Sequence, residues 1–134
     1  MLFTYTFGEK LDLTEFRKQA AHYLGNMREI TYHIYLPHYK MVVEAATIDN
    51  STAHIVTIYM TDIRRDHDGE IIKEENIYPL LDTRFKESKD IQAIFTLVYY
   101  YRGSFVSNST KESADKLCQL IKLIHKLNHL KAFL

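Results

Sequence analysis

The sequence predicts an α+β domain: a curved antiparallel sheet of about five to six strands, with an N-terminal helix and a long C-terminal helix packed on one face. Three observations predict it. Short apolar segments follow one another between residues 30 and 78, separated by turn residues, and the clearest of them alternates with a period of two. A segment of helical period with capping signals precedes them. A second helical segment closes the chain, and its apolar residues fall into two rows.

Taken in order, Leu2 to Phe7 reads as a short strand at an edge. Asp12 can cap a helix over Leu13 to Leu24, with Glu15 three residues on as in a capping box and Gly25 after the last turn. Leu13, Phe16, Ala20 and Leu24 form its apolar row. Ile30, Tyr32, Ile34 and Leu36 then share one strand face, with Thr31, His33 and Tyr35 on the other, and Pro37 ends the strand. Met41 to Ile48 is a second strand of the series, turning at Asp49 to Thr52, and Ala53 to Ile63 is a third. Asp68-Gly69 turns the chain into an exposed strand over Glu70 to Tyr78. These short connections favour an antiparallel meander. Pro79 to Asp90 reads as a charged connection with a helical turn around Leu81 to Glu87. Ile91 to Tyr101, apolar on both faces, reads as a central strand. Ser109 caps the last helix, with Glu112 completing its capping box. The order of elements is like that of helix-grip folds, in which a sheet wraps a C-terminal helix.

Within the last helix, Ala114, Leu117, Ile121 and Ile124 form an early row, and Leu120, Leu123, Leu127, Leu130 and Leu134 a second one roughly 110° away. The strands supply a receiver for the first. The leucine row has no receiver named by the sequence except the first helix, so it is the expected interface for a twin copy or a partner helix.

Composition bounds the rest. One domain spanning 1–134 is expected from 134 residues. Seventeen basic and seventeen acidic residues give zero formal charge, which argues against nucleic acid or anionic membrane as the main partner and offers little repulsion against self-association. A lone cysteine, Cys118, excludes an internal disulfide and suits a reducing, cytoplasmic setting. The first ten residues lack a basic leader followed by an apolar run, and no apolar run approaches membrane-spanning length.

Four residue sets touch on chemistry. Cys118, His125 and His129 share a narrow arc of the last helix, as metal ligands would, but Lys126 stands where the zincin pattern needs a glutamate and no fourth ligand is evident. Asp66, Asp68 and Gly69 with Glu75 partly resemble a calcium loop, yet Arg64 occupies its first ligand position, so a polar hairpin turn is expected. Glu44, Asp62, Glu70 and Lys73 do not share the faces a nuclease site needs. Tyr99, Tyr100 and Tyr101 before Arg102 lack the basic stripe of a base-stacking surface. No catalytic residue and no cofactor is therefore expected. The function expected is that of a non-enzymatic interaction domain, such as a small adaptor, inhibitor or chaperone-like regulator, working as a homodimer or with a protein partner. A small-molecule or lipid carrier with an apolar cavity is the alternative, and a metal-dependent enzyme the third reading.

Overall fold

The computed structural model describes residues 2–7, 13–26, 29–48, 53–86, 91–92, 94–96, 98 and 110–127. The strands are β1 (Leu2–Phe7), β2 (Glu29–Tyr35), β3 (Tyr39–Thr47), β4 (His54–Arg65) and β5 (Ile71–Phe85). Helix α1 (Leu13–Asn26) joins β1 to β2, and helix α2 (Thr110–Leu127) follows near the chain's end. One sheet takes all five strands in chain order. The architecture is α+β, as predicted, with a mostly antiparallel sheet.

Three expectations need correction. β1 does lie at an edge, but it pairs with β2 in parallel, Phe3 opposite Ile30 and Phe7 opposite Ile34. The helix between the two strands carries the chain back to the end from which β1 started, and a crossover of that kind gives parallel neighbours. The segment expected as a central strand from Ile91 to Tyr101 is helical at 91, 92, 94–96 and 98. Its buried residues are Ile91, Ile94, Phe95 and Val98, a spacing of three, one and three that follows a helical face. The supposed helical connection after Pro79 is instead the continuation of β5, with Leu81 opposite Ile58, Thr83 opposite Val56 and Phe85 opposite His54. Pro79 is tolerated there because β5 is an edge strand and needs no second ladder.

β5 reaches its length by bulging. Its pairing with β4 skips Ile72, Asn76 and Leu80, one residue at each of three register shifts. Asn76 takes φ 55°, in the left-handed region that asparagine tolerates better than most residues. The hairpin before it turns as expected. Asp66 Oδ1 accepts from the backbone N–H groups of Asp68 at 2.9 Å and Glu70 at 3.0 Å, and Gly69 takes φ 83°. That use of Asp66 fits the turn reading of Asp66, Asp68 and Gly69.

The core lies on one side of the sheet. Ile30, Tyr32 and Ile34 of β2, Met41, Val43 and Ala45 of β3, and Val56, Ile58 and Met60 of β4 are opposite one another by register and buried. Phe16 and Tyr23 of α1, two helical turns apart, face the same side. The rings of Phe16 and Phe95 meet Tyr32 with centroids 4.8 Å and 5.5 Å away. Helix α1 runs one residue past Gly25, further than its capping signals suggest. Ala114, Leu117 and Ile121 of α2 are buried as the early row requires. The α2 start is fixed by Thr110, whose hydroxyl donates to the His38 carbonyl at 3.0 Å. Ser109, Asp12, the 49–52 turn and the 99–101 tyrosines lie outside the described residues.

Truncating the ring that links the helical segment to β2 leaves a cavity the sheet cannot close. Phe95→Ala is expected to cost about 3–5 kcal/mol. Urea unfolding checks this, read as a lower midpoint with an unchanged slope.

Candidate interaction surface

Strand alternation sends the remaining side chains to the opposite face of the sheet, where the register arranges them in rows. One row runs Tyr35, Lys40, Thr61 and Ile77; the next runs His33, Val42, Tyr59 and Pro79. Beyond them come Thr31, Glu44, Thr57 and Asp82, and then Glu29, Ala46, Ile55 and Arg84. The ring contacts of α1 and of the 91–98 segment fall on the core side, as does Leu117's early row, so this second face carries no helix among the described residues.

The face is neither plainly polar nor plainly apolar. Val42 is buried between His33 and Tyr59, which are half-buried themselves, while Ile55 and Ile77 are exposed by 41% and 71%. The Lys40 ammonium lies 2.7 Å from a Glu74 carboxylate oxygen, its stem almost buried and its charge 5.8 Å from the centre of the Tyr35 ring. His33 stacks on Tyr35 with centroids 6.5 Å apart. Burial and the neighbouring Lys40 cation hold His33 below the usual histidine range, against the pull of Glu74 and Glu44. Burial, with Glu44 nearby, pushes the Tyr59 phenol up despite Lys40. Glu29, Thr31, Glu44, Ala46, Ile55 and Thr57 line a shallow groove of about 280 Å³.

Two polar clusters lie on the core side. The Tyr23 hydroxyl bonds His54 Nδ1 at 2.8 Å, and Thr47 Oγ1 lies 3.4 Å from the same nitrogen. This ties α1 to β4 beneath the helix. Burial lowers His54 below its ordinary value and raises Tyr23, the latter partly offset by a bond from Thr47. The second cluster is centred on Asp62. Asn76 Nδ2 and the Tyr78 hydroxyl each donate to Asp62 Oδ2 at 2.9 Å. Burial alone would raise the Asp62 carboxyl, but the hydrogen bonds from Asn76 and Tyr78 help to outweigh it and hold the group below the usual carboxylate range. Asp62 therefore has a structural task where the nuclease comparison would need a free ligand.

Of the residues singled out from the sequence, Cys118 is half-buried and packs against the core. Leu120, Leu123, Leu127 and His125 fall in α2 by backbone, but their side chains lie outside the described residues, as do His129, Leu130 and Leu134 entirely. Among the described residues no three of His, Cys, Asp and Glu come together in a metal-holding group. No helix is long and apolar enough to cross a membrane among the described residues. Sequence reasoning missed the second sheet face as a surface. The alternation of Thr31, His33 and Tyr35 marked one strand of it, but the pairing of Lys40 with Glu74, 34 residues apart, needed the register.

The chain matches no protein-family model, no curated protein and no solved structure.

His54 and His33 give stability a defined pH dependence. Each has a folded-state pKa below the ordinary 6.5, so in that interval the unfolded chain binds protons that the folded one refuses. Their contribution is complete above 6.5 and declines as pH falls towards the folded values. The urea midpoint is expected to drop between pH 7.5 and pH 5, and His54→Gln to flatten part of that slope. An equal slope in the variant would show that the Tyr23–His54 contact plays no part.

Proposed function

We propose that this protein is a non-enzymatic protein-interaction domain, a small cytoplasmic adaptor, inhibitor or chaperone-like regulator, and that it docks its partner on the helix-free face of the sheet. The observation that carries this is the composition of that face. Tyrosine and histidine rings, an almost buried lysine and exposed isoleucines share one surface with carboxylates around them, the mixture of anchoring and rim groups that protein interfaces use. The core side, by contrast, is occupied by the chain's own helices.

The leucine row Leu120, Leu123, Leu127, Leu130 and Leu134 is a second surface in this reading, used for homodimerisation. Glu112 and Lys116 precede Leu120 at four-residue steps on the same line of α2, and both are exposed, their side chains 3.9 Å apart. The row thus continues a line that starts in solvent, while Ala114, Leu117 and Ile121 of the early row are buried. We take α2 as the first part of a long C-terminal helix and the sheet as curved around it, in the manner of helix-grip folds. Three bulges on β5 support such curvature, since each bends and twists its strand.

A carrier of small apolar ligands is the second reading. The Tyr32 hydroxyl favours it: it is buried and has no hydrogen-bond partner among the described residues, a state that a bound polar group would relieve. Native mass spectrometry would find a retained ligand if this reading holds.

Tyr59→Glu places a charge at the centre of the open face and is expected to weaken partner capture from the native extract by about tenfold or more. Gln19→Ala, on α1, should leave capture unchanged. Equal capture by both variants would overturn the face as the docking site. In light scattering, the wild type is expected at twice the mass of one chain and Leu127→Glu/Leu130→Glu at one chain's mass. A single-chain mass for the wild type would remove the leucine row from the proposal.

A further inference from the structure

We propose that the groove at one end of the open face is a subsite for a guanidinium group, the side chain of an arginine on the partner. The inference rests on the docking face proposed above and deepens it. The groove crosses β2, β3 and β4, and its volume of about 280 Å³ suits one long side chain better than a drug-sized ligand, whose pockets begin at about 300 Å³.

Two carboxylates stand over it. Glu29 pairs with Ala46 and Glu44 with Thr31, so the two glutamates are diagonal neighbours on adjacent strands. Diagonal positions on one face lie within reach of long side chains, and like charges placed there repel. Neither glutamate has an ion-pair partner among the described residues. The cations on this face do not answer the need: Lys40 is bonded to Glu74 at 2.7 Å, and Arg84 belongs to β5, two strands from Glu44. A bound cation would turn that repulsion into attraction.

The rest of the groove selects the kind of cation. Thr31, only 8% exposed, lines it with a hydroxyl-bearing side chain. Opposite Thr31, beyond Glu44, Thr57 supplies a second hydroxyl. Ala46 and Ile55 provide an apolar strip along which an aliphatic stem can lie while its head reaches the carboxylates. A guanidinium has five donors in a planar fork, enough to engage two carboxylates and a threonine oxygen together. An ammonium is a compact, strongly hydrated point charge with three donors and cannot span the set in one plane.

The test uses the full chain and small probes. N-acetyl-arginine methylamide is titrated into ¹⁵N-labelled protein, with the lysine and citrulline analogues as parallel arms. Saturable shifts are expected at the amides of Thr31, Glu44, Ala46 and Thr57. Glu29→Gln/Glu44→Gln should weaken them by about tenfold or more, since charge-assisted bonds are lost. Both glutamates are exposed, so the variant's thermal unfolding should show a folded protein. The citrulline analogue, which keeps the shape and loses the charge, should not bind. Absence of saturable shifts with the arginine probe, equal affinity in the double variant, or equal binding of the citrulline or lysine analogue would each overturn the assignment. The docking face itself is read separately. Loss of the partner with Tyr59→Glu while the probe fails to bind would sink only the subsite; probe binding with the partner retained by Tyr59→Glu would sink the face.

Discussion

The packing of aromatic rings around Tyr32 is the contact on which the fold depends. Its ring lies between β1, α1 and the 91–98 segment, meeting Tyr5 at 6.0 Å, Phe7 at 5.9 Å, Phe16 at 4.8 Å and Phe95 at 5.5 Å between centroids. Tilted and edge-on arrangements of this kind add about 0.5–1.5 kcal/mol per pair beyond the area they bury. They also join elements that are distant in the chain. With Tyr32 in place, α1 has one seat on the sheet, and the segment around Phe95 has another beside it. The cost is the buried Tyr32 hydroxyl, which burial raises far above the ordinary phenol range, with the nearby Tyr5 and Tyr23 adding to the shift.

What could be read from the sequence followed from patterns that a single element carries. Ile30, Tyr32, Ile34 and Leu36 alternate strictly, and all four are buried. Ala114, Leu117 and Ile121 follow a helical row, and all three are buried. The readings that failed needed information from elsewhere in the chain. Around Ile91 to Val98 the apolar residues are so dense that strand and helix periods both fit, and a short apolar run cannot decide between them. Pro79 looked like a strand end because the position of β5 at the sheet's edge is a property of the sheet, not of the proline's neighbours. Yet Leu81, Thr83 and Phe85 alternate with Asp82 and Arg84, and that signal was present. The direction of β1 follows from where α1 sends the chain. The open face was half legible: His33 and Tyr35 stood on the non-core side of β2, but no local pattern brings Glu29 beside Glu44 or Lys40 beside Glu74.

The two faces of the sheet handle polarity differently. On the core side, apart from the Tyr32 hydroxyl, two titratable groups are held by neighbours: His54 by Tyr23 and Thr47, Asp62 by Asn76 and Tyr78. A buried polar group without such partners would cost more than its pairing gains, so these sets behave as fixed joints between elements. On the open side Lys40 and Glu74 are joined, while the exposed Glu44 acts at a distance on His33 and Tyr59. The same alternation that builds a dry core therefore leaves a surface with unspent electrostatic capacity on its reverse.

The bulges of β5 have a consequence beyond shape. Fifteen residues of edge strand, with Ile72 and Ile77 exposed by 60% and 71%, would offer a long template for a neighbouring chain to extend. Ile72, Asn76 and Leu80 fall out of register at steps of four residues, so the strand is broken three times before its in-register end, Leu81 to Phe85. Pro79 removes one donor from the same edge, and Lys73, Glu74 and Glu75 place charge along it. Each of these features blunts the edge as a template for cross-β pairing. The path of this strand's backbone thus counters the pairing that its exposed isoleucines would invite.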